Sequence, residues 1–501
     1  MDLLNSLALG FSVALAPVNL LYCFAGVFVG TLIGVLPGIG PVAAMSLLLP
    51  ATFAIPPESA IILMAGVYYG SMYGGSTTAI LVNIPGEAAS VVTCLDGYQM
   101  ARQGRAGAAL GMAAIGSFLA GTLAVVGLML VAPTLARFAL KFGPAEYFSL
   151  MVLGLSILAY LSHGSLVKAI IMAAAGLVLG LVGLDSITAI PRLTFDRMEL
   201  VDGLGLVPIV MGLFGVAEIL ANLEQHLTRE VFQRRITGLM PTRDDWRRSA
   251  GPLARGSVLG FVLGILPGGG AVISSFLSYG LEKRLSKTPE RFGKGAIEGV
   301  AGPEAANNAA AGGGFIPLMT LGIPPNVVMA LLLGAFIVHG LQPGPLLMIQ
   351  KPDIFWGIVA SMYIGNIMLL ILNLPLIGMW VQVLKVPYRI LFPLILLFCV
   401  IGVYTASGAI FDVYLMIAFG VIGYLMRKFG YEPAPLVLAF VLGPMLENNL
   451  RKALLLAQGD LMTFVERPIS AVCLAVAALL LLSPLLPRFG ARRNAIALEQ
   501  S

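Results

Sequence analysis

Apolar stretches long enough, or nearly long enough, to cross a bilayer recur along the whole chain, at 7–36, 107–132, 147–161, 169–184, 354–381, 391–409 and 469–486. About 20 such residues span the hydrocarbon core. There every backbone N–H and C=O must be satisfied by the protein, so such stretches become helices. Only 11% of the 501 residues are charged, against about 25% in soluble domains, and mean hydropathy is +0.94. The expectation is an all-α polytopic membrane protein of roughly ten to fourteen spans, counting broken ones. The start MDLLNSLALG carries an acid and no basic region, so no secretory signal is expected. Cys23, Cys94, Cys399 and Cys473 are scattered without metal-ligand spacing and read as small core residues. His163, His226 and His339 are isolated and read as loop or interface residues. The net charge of +5 sits in a few loops. In a membrane chain that reports orientation rather than nucleic-acid binding.

Among the apolar segments lie sequences unlike transmembrane helices. YYGSMYGGSTTAILVNIPGE (68–87) carries Gly70, Gly74 and Gly75, then Ser76, Thr77, Thr78 and Asn83, then Pro85-Gly86 and an acid. GVLPGIGPVAAMSLLLP (34–50) matches GILPGGGAVISSFLSYG (264–280) at seven of 17 positions, Gly38 and Gly40 aligning with Gly268 and Gly270. Each copy leads to a second broken segment ending in Ile-Pro, the later one being NNAAAGGGFIPLMTLGIPPN (307–326). Pro37 lies 48 residues before Pro85, and Pro267 lies 57 before Pro324, so nine extra residues fall in one loop of the second copy.

The loops set the orientation of the two copies. LEKRLSKTPERFGKG (281–295) has five basic residues and two acids, whereas its counterpart PATFAIPPES (50–59) has one acid and no base. After the second motif the asymmetry reverses. Residues 96–107 carry Arg102 and Arg105, while in 339–353 Lys351 is balanced by Asp353. Basic loops stay cytoplasmic, so corresponding loops face opposite sides. The chain is expected to hold two inverted-topology repeats with broken helices, an arrangement typical of secondary transporters. The junction 227–255, with seven arginines and three acids, is expected to be cytoplasmic, the C-terminus also, and the N-terminus on the other side. The expected division is 1–226, first repeat with connecting spans; 227–255, basic cytoplasmic loop; 256–450, second repeat; and 451–501, interfacial segment, last span and tail.

Matched pairs of interrupted segments point to a transporter's binding site. Half-helix N-termini there offer N–H groups and partial positive charge to a carboxylate, and freed carbonyls with Ser, Thr and Asn oxygens suit Na⁺. The competing explanation is close helix packing through small residues. Glu304, Asn307 and Asn308 are hard to place against lipid and otherwise make an interhelical clamp. No Walker-type phosphate loop, HExxH or GxSxG occurs. Glu146, Asp185 and Glu218 are the acids a membrane enzyme could use, but each falls near a span end. A membrane enzyme acting on an amphipathic acid and a passive anion channel are the alternatives to a secondary transporter. LENNLRKALLLAQGDLMTFVERP (446–468) combines Glu447, Arg451, Asp460 and Arg467, either as a docking surface or as a salt-bridged turn.

GVLPGIGP, YYGSMYGGSTTAILVNIPGE…LDGYQMARQGRAGAALG, GPEAANNAAAGGGFIPLMTLGIP, GYEPAPLVLAFVLGPMLENNLRKALLLAQGD and FVERPIS together resemble the large membrane subunit (TctA type) of the tripartite tricarboxylate transporters, over nearly the whole chain. The resemblance implies import of organic carboxylates across the bacterial inner membrane, driven by a Na⁺ or H⁺ gradient and with no other cofactor. It implies three partners: the bilayer, a small membrane subunit (TctB type) and a periplasmic solute-binding protein (TctC type). It also implies the helical-hairpin, elevator-type architecture of ion transporters. Carried onto this chain, the site falls on Gly38, Gly40, Ser76, Thr77, Thr78 and Asn83 in the first copy. In the second it falls on Gly268, Gly270, Asn307, Asn308, Thr320 and Asn326, with any Na⁺ near the same tips. No arginine occurs in the broken segments, so recognition is expected from backbone dipoles and neutral donors.

Overall fold

The computed structural model describes residues 3–36, 40–162, 165–224, 236, 238–268, 270–386 and 388–483. Gly38, His163, His226 and the tail from 484 onward lie outside them.

The described chain is helical apart from one two-stranded antiparallel ribbon, Gly183–Leu184 paired with Pro191–Arg192. The helices of the first half are α1 (Leu3–Ala14), α2 (Pro17–Val35), α3 (Gly40–Leu48), α4 (Pro57–Val82), α5 (Val91–Arg102), α6 (Ala106–Ala139), α7 (Pro144–Leu161), α8 (Leu166–Gly180) and α9 (Leu206–Glu224). In the second half they are α10 (Arg243–Ile265), α11 (Ala271–Leu285), α12 (Glu298–Gly313), α13 (Phe315–Leu321), α14 (Val327–Val338), α15 (Pro352–Asn373), α16 (Ile377–Val383), α17 (Tyr388–Ser407), α18 (Ile410–Lys428), α19 (Pro433–Leu456) and α20 (Pro468–Leu482). Six of them, α2, α6, α7, α9, α15 and α18, are long and apolar enough to cross a membrane.

Three sequence readings change. The stretch 7–36 is two helices, because Pro17 cannot continue α1 and instead opens α2 at its first turn. The stretch 354–381 is cut in the same way beside Pro375, between α15 and α16. Residues 243–255 of the basic junction are the first turns of α10, whose Thr242 caps the helix by accepting from Asp245 N–H.

The largest correction concerns YYGSMYGGSTTAILVN. It is not interrupted: α4 runs unbroken through Gly70, Gly74, Gly75 and Ser76–Thr78. Every residue from Ser59 to Val82 is buried, and so is every residue of α12 from Gly299 to Gly313. These innermost helices meet protein rather than lipid, which is why they tolerate polar and small residues. The glycines pack. An added Cβ on Gly26, Gly30 or Gly34 of α2 would lie 2.4, 2.5 or 2.3 Å from the carbonyl oxygens of Leu63, Val67 and Ser71 on α4. Gly256, Gly260 and Gly264 of α10 stand 2.4, 2.1 and 2.3 Å from the carbonyl oxygens of Gly302, Ala306 and Ala310 on α12 by the same measure. Both halves therefore use one small-residue register with a period of four. The facing positions shift by nine residues between halves, taken up by a longer α11 (15 residues against nine in α3) and a longer loop between α11 and α12. Buried Asp96 of α5 pins that loop by accepting from the Gly295 and Ala296 amides at 2.7 and 2.8 Å and from the Tyr279 hydroxyl at 3.0 Å.

Candidate functional site

The real breaks come a few residues later than the glycine runs, and in matched positions. α4 ends on Asn83 in the left-handed conformation (φ 57°), and α13 ends on the equivalent Gly322 (φ 72°). Glycine and asparagine are the residues that accept this C-cap geometry. After Gly322, Ile323 N–H bonds back to Pro317 O and closes the turn. Ile-Pro follows in each half, and then an N-cap. Glu87 accepts from Ala89 N–H at 2.6 Å and Asn326 from Met329 N–H at 2.9 Å. The other pair of breaks, between α2 and α3 and between α10 and α11, carries the Leu-Pro-Gly motifs. Gly268 there has φ +75° and its N–H bonds to Pro325 O at 2.9 Å, tying the two tips of the second half together.

All four breaks meet at one cavity of about 640 Å³, within the range of small-molecule sites. Equivalent residues of the two halves line it: Gly40 with Gly270, Val42 with Val272, Glu87 with Asn326. The N-termini of α3, α11, α14 and α19 all open onto it, so partial positive charge converges there. A side wall from outside the broken segments adds Ser162, Glu218, Arg427 and Glu432. Arg427 and Glu218 form an ion pair, and the Ser162 hydroxyl donates to Glu432. Arg427 thus brings a guanidinium to the cavity wall from outside the broken segments, which themselves carry no arginine. It stands at the end of α18, and nothing near it in the chain marks it as a cavity residue.

The expected site residues divide into groups. Gly40, Gly268, Gly270 and Asn326 line the cavity. Asn83 is an exposed helix cap, and Thr320 bonds to Ile316 O in its own helix. Thr78 donates to Val35 O at 2.8 Å, holding α4 to the first tip. Ser76, Asn307 and Asn308 meet elsewhere, in a buried polar cluster around Glu304 at the contact of the halves. Ser76 Oγ donates to Glu304 Oε2 at 2.6 Å, Asn307 Nδ2 donates to the same oxygen at 3.3 Å, and Thr93 donates to Oε1. Asn308 Nδ2 donates to Ser117 Oγ at 2.7 Å. Thr77 lines a second, much smaller cavity beside this cluster.

The acids near span ends are all paired. Glu146 bonds Arg467, Glu218 pairs with Arg427, and Asp185 bonds Arg451 and Arg192, which also hold Glu447. Asp460 accepts from Met462 N–H. The polar C-terminal segment is therefore knit into the fold by salt bridges.

The sequence model of the "Tripartite tricarboxylate transporter TctA family" matches residues 20–438. A relative from Agrobacterium vitis, named "Uncharacterized 52.8 kDa protein in TAR-I ttuC' 3'region", is 55% identical over 500 residues, covering 100% of both chains. A second from the same organism, "Uncharacterized protein in TAR-II ttuC' 3'region", is 54% identical over 240 residues, 48% of this chain and 99% of its own. No solved structure matches the chain.

Proposed function

The chain belongs to the tripartite tricarboxylate transporter TctA family, and on that premise we propose that it is the substrate-translocating large subunit of a secondary transporter importing organic carboxylates. The observation that carries this reading is the cavity lined by equivalent residues of both halves, onto which four helix N-termini and Arg427 open. Backbone N–H groups at Gly40 and Gly270, with Gly38 near Gly40 in sequence, bind substrate carboxylates, while Gly268 shapes the second tip through its bond to Pro325 O. Asn326 and Arg427 orient them. In the ground state Glu218 occupies the guanidinium, and an incoming carboxylate exchanges for it. The displaced Glu218 carboxylate then stands beside the bound anion, and that like-charge contact favours release.

The halves lie in opposite senses across the bacterial inner membrane, with the central basic segment and the C-terminus cytoplasmic and the N-terminus periplasmic. A periplasmic binding protein delivers substrate, a small membrane subunit accompanies the chain, and a Na⁺ or H⁺ gradient drives an elevator-like movement of the tips. The test is uptake of labelled citrate and dicarboxylates into proteoliposomes holding this chain and its small subunit, with and without binding protein and imposed gradients. Gradient-driven accumulation that requires the binding protein is expected. Downhill equilibration with no such requirement would mean a channel and overturn the reading.

A further inference from the structure

Glu304 is fully buried, and among the described residues no Lys, Arg or His forms an ion pair with it. It accepts from neutral groups: the Ser76 and Thr93 hydroxyls and the Asn307 amide. An ionised carboxylate in such a place is costly without a positive charge nearby. Beside it, between α4, α6 and α15, lies a cavity of about 10 Å³ lined by Tyr73, Ser76, Thr77, Leu110, Ala113, Ala114, Ser117 and Asn373. That is room for about one water-sized sphere.

The oxygens around this cavity are prepared as acceptors. Ser76 directs its hydrogen to Glu304, and Tyr73 directs its own to Asn366 Oδ1 at 2.6 Å, so both leave lone pairs free. Ser117 Oγ accepts from Asn308 Nδ2 and retains a second lone pair. Asn373 is buried, and its Nδ2 is spent on Leu369 O at 2.9 Å, while its Oδ1 is buried with no protein partner. Thr77 contributes a fifth oxygen-bearing side chain.

We infer that this small cavity is a Na⁺ site, coordinated by the side-chain oxygens of Tyr73, Ser76, Thr77, Ser117 and Asn373 and neutralised by Glu304 through Ser76. Neutral oxygens plus a single uncompensated carboxylate balance one positive charge. Divalent ions draw on more carboxylates or retained waters than the pocket holds. Hydrated ions do not fit. The inference rests on the cation-driven reading above for its purpose: the ion joins α4 of one half to α12 through the Glu304 cluster, so its binding energy falls on the contact between the halves.

The test needs no transport. The purified full chain in detergent is titrated with NaCl at constant ionic strength, with choline chloride and KCl as references, following thermal unfolding and binding of radioactive Na⁺. Expected are saturable stabilisation specific to Na⁺ and one bound ion per chain. In Thr77→Val and Asn373→Leu the Na⁺ midpoint should rise at least tenfold. Thr77→Ser, which keeps the hydroxyl, should stay close to the wild-type midpoint and guards against a variant that merely misfolds. The absence of Na⁺-specific stabilisation and binding in the wild type would overturn the site, as would a response to pH alone, which would make Glu304 a proton carrier. Unchanged Na⁺ binding in Thr77→Val and Asn373→Leu would place the ion elsewhere. If Na⁺ binds as described but no carboxylate is taken up, the transport reading fails and the ion site stands.

Discussion

Gly260 and Gly280 lie 20 residues apart in the second half, both in helices, and the structure assigns opposite signs to the same substitution. At Gly260 a new Cβ would stand 2.1 Å from Ala306 O and 2.7 Å from Ala306 C and Cα, all backbone atoms that no side-chain rotation can move. Helices α10 and α12 would have to part by about 1 Å to restore even a tight contact, loosening neighbours packed at optimal separation. Such overpacking costs about 1–3 kcal/mol, roughly a 5- to 150-fold shift toward the unfolded state. At Gly280, exposed on α11, an added Cβ meets nothing within 4 Å. Replacing glycine there removes backbone freedom from the unfolded chain and stabilises by about 0.5–1 kcal/mol. The assay is unfolding in mixed detergent–SDS micelles, read by maleimide labelling of the buried thiols Cys23 and Cys399. Gly260→Ala is expected to unfold at lower SDS than the parent and Gly280→Ala at slightly higher SDS. If Gly260→Ala matched Gly280→Ala, the α10–α12 register would be wrong, and with it the shared packing of the two halves.

Arg427→Gln removes the one guanidinium that lines the cavity among the described residues. A charged hydrogen bond contributes about 1.5–3 kcal/mol, so the carboxylate concentration for half-maximal uptake is predicted to rise roughly ten- to hundredfold, measured in proteoliposomes; an unchanged value would remove Arg427 from recognition. The Asp185 carboxyl is held well below the usual carboxylate range, first by the Thr188 N–H, then by Arg451 and the Ile187 N–H. A depressed folded value means that its stabilisation is complete above the ordinary aspartate value near ~4 and is lost as pH falls below it toward the folded value. Thermal unfolding from pH 7 to pH 3 should therefore show a steeper acid loss in the parent than in Asp185→Asn, and parallel curves would refute the link.

The repeated Leu-Pro-Gly and Ile-Pro motifs mark the helix ends at the cavity correctly, because proline and left-handed glycine or asparagine act locally on the backbone. Gly74-Gly75-Ser76-Thr77-Thr78 misleads for an equally physical reason. Glycine both breaks helices and lets them touch, and only the partner helix decides between the two. Ser76 and Thr320 can also bond to carbonyls one turn back, at Met72 and Ile316, so hydroxyls in an apolar helix need not signal an open backbone. Glu304, Asn307 and Asn308 stood out from their neighbours, but Ser76, Thr93, Ser117 and Asn373 reach the same neighbourhood from four other helices. Arg427 carries no motif around it, and nothing local connects it with Glu218, some 200 residues earlier.

The glycine ladders act as a ruler whose zero mark is the cavity. In each half the outer helix and the inner helix are locked together turn by turn, so the tip position is set by the ladder and not by the length of chain that joins them. The stretch from Gly270 to α12 could therefore grow by nine residues while Gly270 and Asn326 kept places at the cavity equivalent to those of Gly40 and Glu87. A site built this way can be edited at its periphery without being retuned at its centre. Insertions that would detune a loop-built pocket become, in this chain, free surface on which new basic residues and new contacts accumulate.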